Sequence, residues 1–175
     1  YSDEIDTPVV GRFDMKISNI DRYMHVNMPG GVGREYTYAQ APVIIEGAGG
    51  YDKKNSKVLS IRQNGEAWDR PFVVVFEPSI KTVPTVQSVE NIIDNGKIIG
   101  AKVVSSVGDK LITDLIIAQD SANATYTNLD EQIEFTGRYA VARTIEGAFS
   151  NEVHLYIGDG QSMSFQGHTL TAGDN

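Results

Sequence analysis

The pattern of apolar residues most limits what this chain can fold into, because its apolar runs are short and turn residues separate them. Residues 12–17 and 23–28 alternate polar and apolar side chains with a period of two, which is typical of strands with one wet face. No segment keeps a period of 3.6 over ten residues, and about a dozen strand candidates follow one another at roughly 8–12-residue spacing. The sequence therefore predicts an all-β fold, a two-sheet antiparallel β-sandwich of about a dozen strands.

Several segments carry more specific predictions. Residues 72–76 are all apolar and lie between Pro71 and Pro78, which predicts a central strand covered on both faces. Residues 86–118 predict a three-stranded meander whose first turn is Asn95-Gly96, a pair that supplies the positive φ values of a tight hairpin.

The glycines further along predict two different features. Residues 132–143 indicate either one long strand interrupted by Gly137 or two strands with a bulge. Residues 158–160, Gly-Asp-Gly, predict a turn between two separate strands.

Length and charge exclude several classes of protein. The 175 residues are enough for one domain, which we predict to span residues 1–175. The net charge of −8 repels polyanions, which argues against a nucleic-acid partner and against binding of an acidic polysaccharide by the surface as a whole. A local basic pocket would escape that objection.

Three further features bear on processing and chemistry. The chain has no cysteine, so disulfides and thiolate sites are excluded. Its longest apolar run is far shorter than the roughly 20 residues of a membrane-spanning helix, which predicts no membrane span. It begins at Tyr1, not at methionine, and has no signal-like apolar segment, so we expect a processed or cut N-terminus and a chain that is part of a longer protein.

The histidines offer no catalytic or metal-binding pattern. His25, His154 and His168 have no partner at metal-ligand spacing, and the first two lie in alternating strands, with His25 on the polar face. We expect them to face solvent or to bond locally. The glycines of residues 30–33 are followed by a strand-like run, which indicates a flexible hairpin connection and not a phosphate loop. The sequence predicts no catalytic residue, no metal and no cofactor.

Aromatic residues provide the candidate binding site. Trp68 lies in a polar connection, where it could stack on a sugar ring or plug the end of a sandwich. Arg70 could serve the same site or pair with Asp69. Tyr36 and Tyr38 share one strand face and could line a groove or pack as cross-strand aromatics. We predict Trp68, Arg70, Tyr36 and Tyr38 as carbohydrate-binding residues.

One stretch also carries a family resemblance. Residues 58–78, VLSIRQNGEAWDRPFVVVFEP, resemble the C-terminal β-sandwich region of heparinase II/III-like polysaccharide lyases, most specifically over residues 62–78. Residues 87–90 and 157–160 are similar too, and the resemblance extends over residues 34–171.

The resemblance implies a secreted or periplasmic parent protein that cleaves acidic polysaccharide by β-elimination. In that family a base and an acid, usually tyrosine and histidines, lie largely in an N-terminal helical domain and in the first part of the sandwich. No residue of this chain matches a catalytic motif of the family, so the resemblance transfers none.

Three hypotheses of function follow from the sequence. The first is a non-catalytic C-terminal β-sandwich that supports the helical domain of the parent and contributes to the substrate cleft. The second is a carbohydrate-binding module that uses its exposed aromatics. The third is a structural or adhesive surface domain.

Overall fold

The computed structural model of the chain describes residues 2–4, 9–17, 20–42, 55–65 and 67–173. These residues form antiparallel strands and one single-turn 3₁₀ helix, Ala67–Asp69. The strands are β1 (Ser2–Glu4), β2 (Val9–Ile17), β3 (Ile20–Met28), β4 (Arg34–Pro42), β5 (Asn55–Gln63), β6 (Val75–Ser79), β7 (Val86–Asp94), β8 (Lys97–Val107), β9 (Lys110–Ala118), β10 (Thr125–Asn128), β11 (Ile133–Glu146), β12 (Asn151–Phe165) and β13 (His168–Thr171). The predicted all-β antiparallel fold is confirmed.

The chain divides into two compact units. Unit one comprises Tyr1–Thr7 and Gly30–Arg70 and contains the sheet β1-β4-β5. Unit two comprises Pro8–Pro29 and Pro71–Asn175 and contains the sheet β2-β3-β6 and a seven-stranded sheet. The predicted extent of one domain over residues 1–175 stays a prediction. None of the described helical segments is long and apolar enough to cross a membrane.

The connection at residues 30–33 is not a hairpin, which corrects the sequence prediction. β3 pairs with β2 and β6, whereas β4 pairs with β1 and β5. The chain passes at this point from unit two into unit one. Two strands that are consecutive in the sequence therefore belong to different sheets.

The seven-stranded sheet has the order β13-β12-β11-β9-β8-β7, and β10 pairs with the first half of β11. Strands β7, β8 and β9 form the predicted meander. Asn95 and Gly96 have φ values of 48° and 82°, as their tight turn requires.

Strands β11 and β12 are long and share an irregularity near their middle. Gly137 pairs with Gly160, and the register shifts on both sides of this pair. β11 is the predicted long strand with an irregularity at Gly137. The predicted turn at residues 158–160 is wrong, because β12 runs without interruption through these residues, opposite the irregularity in β11.

The seven-stranded sheet buries apolar side chains on both faces. The first cluster takes its buried residues from β7, β9, β10, β11 and β12: Ile92, Leu115, Ile117, Tyr126, Ile133, Phe135, Ala140, Ala142, Met163 and Phe165. The second cluster consists of Val86, Val89, Ala101 and Val103. Ile116, between two members of the first cluster, packs against the second, as alternation along β9 requires.

The segment around β6 covers the second cluster. Val73 and Val75 pack against it, so the chain at the small sheet forms a layer on this face of the large one. The prediction of a central strand at residues 72–76 is wrong: β6 begins at Val75, and Phe72 and Phe76 are 49% and 62% exposed. Among the described strands β6 pairs with β3 alone, an edge position that tolerates Pro78.

We expect the approach of Gly137 to Gly160 to be sensitive to a single methyl group. A Cβ atom on Gly160 would lie 2.7 Å from Phe135 Cε2 and 2.8 Å from the Thr136 carbonyl oxygen. Gly160→Ala should lower the free energy of unfolding by about 1–3 kcal/mol, the usual range for overpacking, as measured by urea denaturation.

Gly147→Ala is the matched control, because its nearest neighbour, the Ser150 carbonyl oxygen, would lie 3.5 Å from the new Cβ. Equal stabilities of the two variants would show that the contact between β11 and β12 can relax around a methyl group.

Candidate functional site

Trp68, the principal predicted binding residue, lies in unit one on the 3₁₀ helix Ala67–Asp69. Its side chain is 89% exposed, so it does not plug the end of a sandwich. An indole exposed to this extent presents its ring to solvent, where it can stack on a flat apolar partner.

The turn that carries Trp68 is held by a hydrogen bond of its own and by bonds from flanking residues to the loop before β4. The Arg70 backbone N–H donates to the Ala67 carbonyl at 3.2 Å, and Arg70 Nη1 donates to the Val32 carbonyl at 3.1 Å. The Asn64 N–H donates to the Gly33 carbonyl at 2.7 Å. The indole is therefore exposed while the backbone beneath it is fixed.

Arg34 is a residue of this region that the sequence analysis missed. It is 2% exposed, and its guanidinium donates to Gln63 Oε1 and to the Arg70 carbonyl, both at 3.3 Å. Burial lowers the pKa of Arg34. No local motif could have revealed it, since its partners belong to β5 and to the turn after it.

Tyr36 and Tyr38 lie on β4, on the same face as Arg34, because alternate residues of a strand share a face. Tyr38 is 44% exposed and Tyr36 is half-buried. Four residues of strand separate Tyr38 from Arg34, which corresponds to roughly 13 Å. The structure thus joins Arg70 to Arg34 directly and places the tyrosines along the same face at increasing distance.

His25 does not lie on a wet face, which corrects the sequence prediction. It is 2% exposed, and its Nε2 atom donates to the Lys81 carbonyl at 3.0 Å. The loop between β6 and β7 covers this side of β3, and Asn27 is buried as well. His154 is exposed and bonds locally to Glu152, as expected.

A groove in unit two, of about 690 Å³, lies where β3 and β6 meet the loop of residues 80–85. We call it the Arg22–Lys81 groove; its lining residues are Arg22, Tyr23, Glu77, Pro78, Ser79, Ile80, Lys81 and Thr85. No local sequence signal marks the groove, because its two cations lie far apart in the chain and come to line it only through the pairing of β3 with β6.

The carboxylate of Glu77 fixes the far end of that loop. Its oxygens accept hydrogen bonds from the Thr85 N–H at 2.8 Å, the Thr85 hydroxyl at 2.9 Å and the Val86 N–H at 3.1 Å. Burial alone would raise the pKa of Glu77, but these bonds, together with the nearby charge of His25, outweigh burial and lower the pKa below the ordinary value.

A second groove in unit two, of about 400 Å³, lies on strands β11 and β12. Its cation Arg143 is held by Asp114 through two bonds of 2.6 and 3.0 Å, which raise the pKa of the guanidinium. Its histidine, His154, pairs with Glu152. Both groups therefore have an acidic partner, which weakens the attraction of this groove for an anion.

The described residues contain no group of three or more histidine, aspartate or glutamate side chains placed to hold a metal ion. Among the same residues His25 bonds to a backbone carbonyl and His154 to a neighbouring carboxylate. The described residues offer exposed aromatic side chains and two grooves that contain cations. Such features are suited to binding a ligand.

Comparison with known proteins gives the family. Residues 86–175, just over half of the chain, match the model of the endo-acting ulvan lyase C-terminal domain. The chain belongs to this family. An endo-acting ulvan lyase of Formosa agariphila is 44% identical over 155 residues, which cover 89% of this chain and 19% of the relative. The chain thus spans about a fifth of the length of that relative. No solved structure gives a significant match.

The match places the ulvan lyase C-terminal domain model on strands β7 to β13. The predicted resemblance to the C-terminal region of a polysaccharide lyase is confirmed at this level. Its assignment to the heparinase II/III-like class stays a prediction. Residues 62–78, which carried that resemblance, lie before the part that matches the family model.

The hydrogen bonds of Glu77 predict a pH-dependent contribution to stability. Because its pKa is lower when folded, the carboxylate stabilises the fold above the ordinary pKa of about 4.5, and this contribution is lost as the pH falls through the lowered value. Glu77→Gln should cost about 1–3 kcal/mol at neutral pH, since it leaves donors of Thr85 and Val86 poorly satisfied.

Urea denaturation at a series of pH values measures this difference, and we expect it to shrink in acid. Glu134→Gln is the control, because Glu134 is exposed on β11. A constant difference between wild type and Glu77→Gln across the acid range would contradict the assignment.

Proposed function

We propose that this chain is a non-catalytic C-terminal domain of a polysaccharide lyase that degrades ulvan or a related acidic polysaccharide. The observation that carries the proposal is the family match over strands β7 to β13, in a chain that spans 19% of its lyase relative. Most of such a lyase therefore lies outside a segment of this size.

The chemistry of the described residues supports a non-catalytic role. β-elimination requires a base beside the acidic carbon and an acid beside the leaving oxygen, both facing one cleft. The ring of His25 is buried behind the loop of residues 80–85, while His154 lies on the exposed face of β12. We propose that base and acid belong to an N-terminal helical domain of the parent, as the heparinase II/III-like resemblance implies, and that this domain is the partner of the chain.

We further propose that the parent is secreted or periplasmic. A polymer too large to enter the cell has to be met outside the cytoplasm. Fractionation of the native source, with an antibody against this chain, tests the location.

A comparison of three proteins tests the proposed role. They are the full-length lyase that contains this chain, the same protein without the 175 residues, and the chain alone. We expect the full-length protein to release unsaturated products from ulvan, the chain alone to release none, and the shortened protein to lose thermal stability or specific activity.

Release of unsaturated products by the chain alone would refute a non-catalytic role. A shortened protein with the Tm and specific activity of the full-length lyase would refute the supporting role.

Carbohydrate binding through Trp68 is a second candidate function, favoured by the 89% exposure of its indole on an anchored turn. Arg70, Tyr36 and Tyr38 complete this proposed site in unit one. In this reading the chain retains polysaccharide near the enzyme.

We expect Trp68→Ala to weaken the binding of ulvan oligosaccharides to the chain about tenfold, as loss of a central aromatic contact usually does. Isothermal titration calorimetry measures the change. Phe149→Ala is the matched control, because Phe149 is fully exposed and lies in unit two. Unchanged affinity in Trp68→Ala, or an equal loss in the control, rules out this site.

A further inference from the structure

The Arg22–Lys81 groove combines two cations with an aromatic ring and apolar side chains. Arg22 and Lys81 line it together with Tyr23, Pro78 and the 71% exposed Ile80. Its volume of about 690 Å³ lies within the roughly 300–1,000 Å³ that is usual for ligand sites. The mixture of charge, ring and apolar surface is suited to a ligand that carries both an anionic group and a flat apolar face.

Both cations are available to a ligand. Among the described residues neither Arg22 nor Lys81 lies within ion-pair distance of a carboxylate, and Arg22 Nη1 donates only to the adjacent Asp21 carbonyl, at 3.2 Å. Glu77 also lines the groove and keeps its negative charge, but its oxygens are engaged by Thr85 and Val86 and form no ion pair with either cation among the described residues. This distinguishes the groove from the one on β11 and β12, where Arg143 is held by Asp114.

Three hydrogen bonds hold the backbone of the loop that carries Lys81. His25 Nε2 donates to the Lys81 carbonyl at 3.0 Å, Arg12 Nη1 donates to the Thr82 carbonyl at 3.3 Å, and the Lys81 N–H donates to Ser79 Oγ at 2.9 Å. These bonds hold the backbone and leave the ammonium group of Lys81 exposed. The groove is therefore formed before any ligand arrives.

The ring of Tyr23 is held as well. The Arg12 guanidinium carbon lies 5.2 Å from the centroid of the ring, and the His25 ring is stacked beside it at 6.4 Å. This fixed, half-buried phenol in the lining of the groove offers a ring and a hydroxyl to a ligand. Sugar units present the matching features, an apolar C–H face and polar substituents.

We propose that the Arg22–Lys81 groove binds an anionic sugar unit of an acidic polysaccharide, with its carboxylate or sulfate group on Arg22 and Lys81 and its ring against Tyr23. The choice of a polysaccharide rests on the proposed function; the requirement for an anion rests on the two cations alone. The site lies in unit two and does not include Trp68 or the tyrosines of β4. A local positive site of this kind explains how a chain of net charge −8 can hold a polyanion.

Calorimetric titration of the 175-residue chain tests the proposal with four polymers: ulvan, a uronate polymer without sulfate, a sulfated galactan without uronate, and a neutral glucan. We expect binding of ulvan and of at least one anionic polymer, and none of the glucan. Binding of the uronate polymer alone identifies the carboxylate as the recognised group, and binding of the galactan alone identifies the sulfate. Equal binding of the glucan overturns the proposal.

The double variant Arg22→Gln/Lys81→Gln should weaken binding about tenfold or more, since hydrogen bonds to charged groups are the strong ones. The control double variant Lys110→Gln/Arg138→Gln removes the same charge from exposed positions elsewhere in unit two and should change affinity less than about twofold. Equal losses in both would show unspecific attraction and overturn the site.

Ile80→Glu provides an independent variant, because it places a negative charge at an exposed position of the groove and should also weaken binding. Wild-type affinity in this variant and in the double variant overturns the proposal. The lyase assay separates this result from the proposed role as a lyase domain: a chain that binds no polymer while the full-length protein degrades ulvan refutes the groove, and binding through Trp68 with it, but leaves that role standing.

Discussion

The close approach of Gly137 to Gly160 is the constraint on which the core of unit two depends. Strands β11 and β12 are long enough to carry two halves of one sheet, and both halves contribute to the same buried cluster. Ile133 and Phe135 come from one half, Ala140 and Ala142 from the other, so the buried positions change from odd to even across the irregularity. Extra residues at the bulge permit this change. Because glycine has no side chain, the backbones of Gly137 and Gly160 can approach each other closely.

Features fixed by neighbouring residues could be predicted from the sequence. Asn95-Gly96 specifies its own turn, and the meander around it follows from alternation. Gly-Asp-Gly at residues 158–160 does not form the predicted turn, because glycine is found in both turns and bulges, and the pairing with β11 decides between the two. Residues 72–76 do not form the predicted central strand, because apolar character shows that a segment tends to be buried but not where it lies in a sheet. The C-terminal part of this segment belongs to β6, an edge strand.

The candidate sites follow the same rule: a signal from neighbouring residues can be predicted from the sequence, and a site formed by distant strands cannot. Trp68 was recognisable because a single aromatic residue in a polar connection is a local signal, and its exposure agrees with a binding role. The Arg22–Lys81 groove has no local signal, since it forms where β3 pairs with β6 and the following loop folds back over His25. The buried Arg34 is similar: its partners are known only once β4 and β5 are paired. The net charge argues against polyanion binding by the surface as a whole, and only the fold brings two cations into the lining of one groove.

The hydrogen bonds around residues 80–85 have a consequence for how a ligand would be chosen. A loop already ordered in the free protein loses little conformational freedom on binding, so a few polar contacts can suffice for measurable affinity. The same hydrogen bonds keep both cations in the lining of one groove, so the groove and the length of the two side chains limit the interval between the charges. A polymer whose charges repeat at a matching interval would fit at many places along its length. Such a surface could rebind the next repeat after each release and travel along the polymer without leaving it.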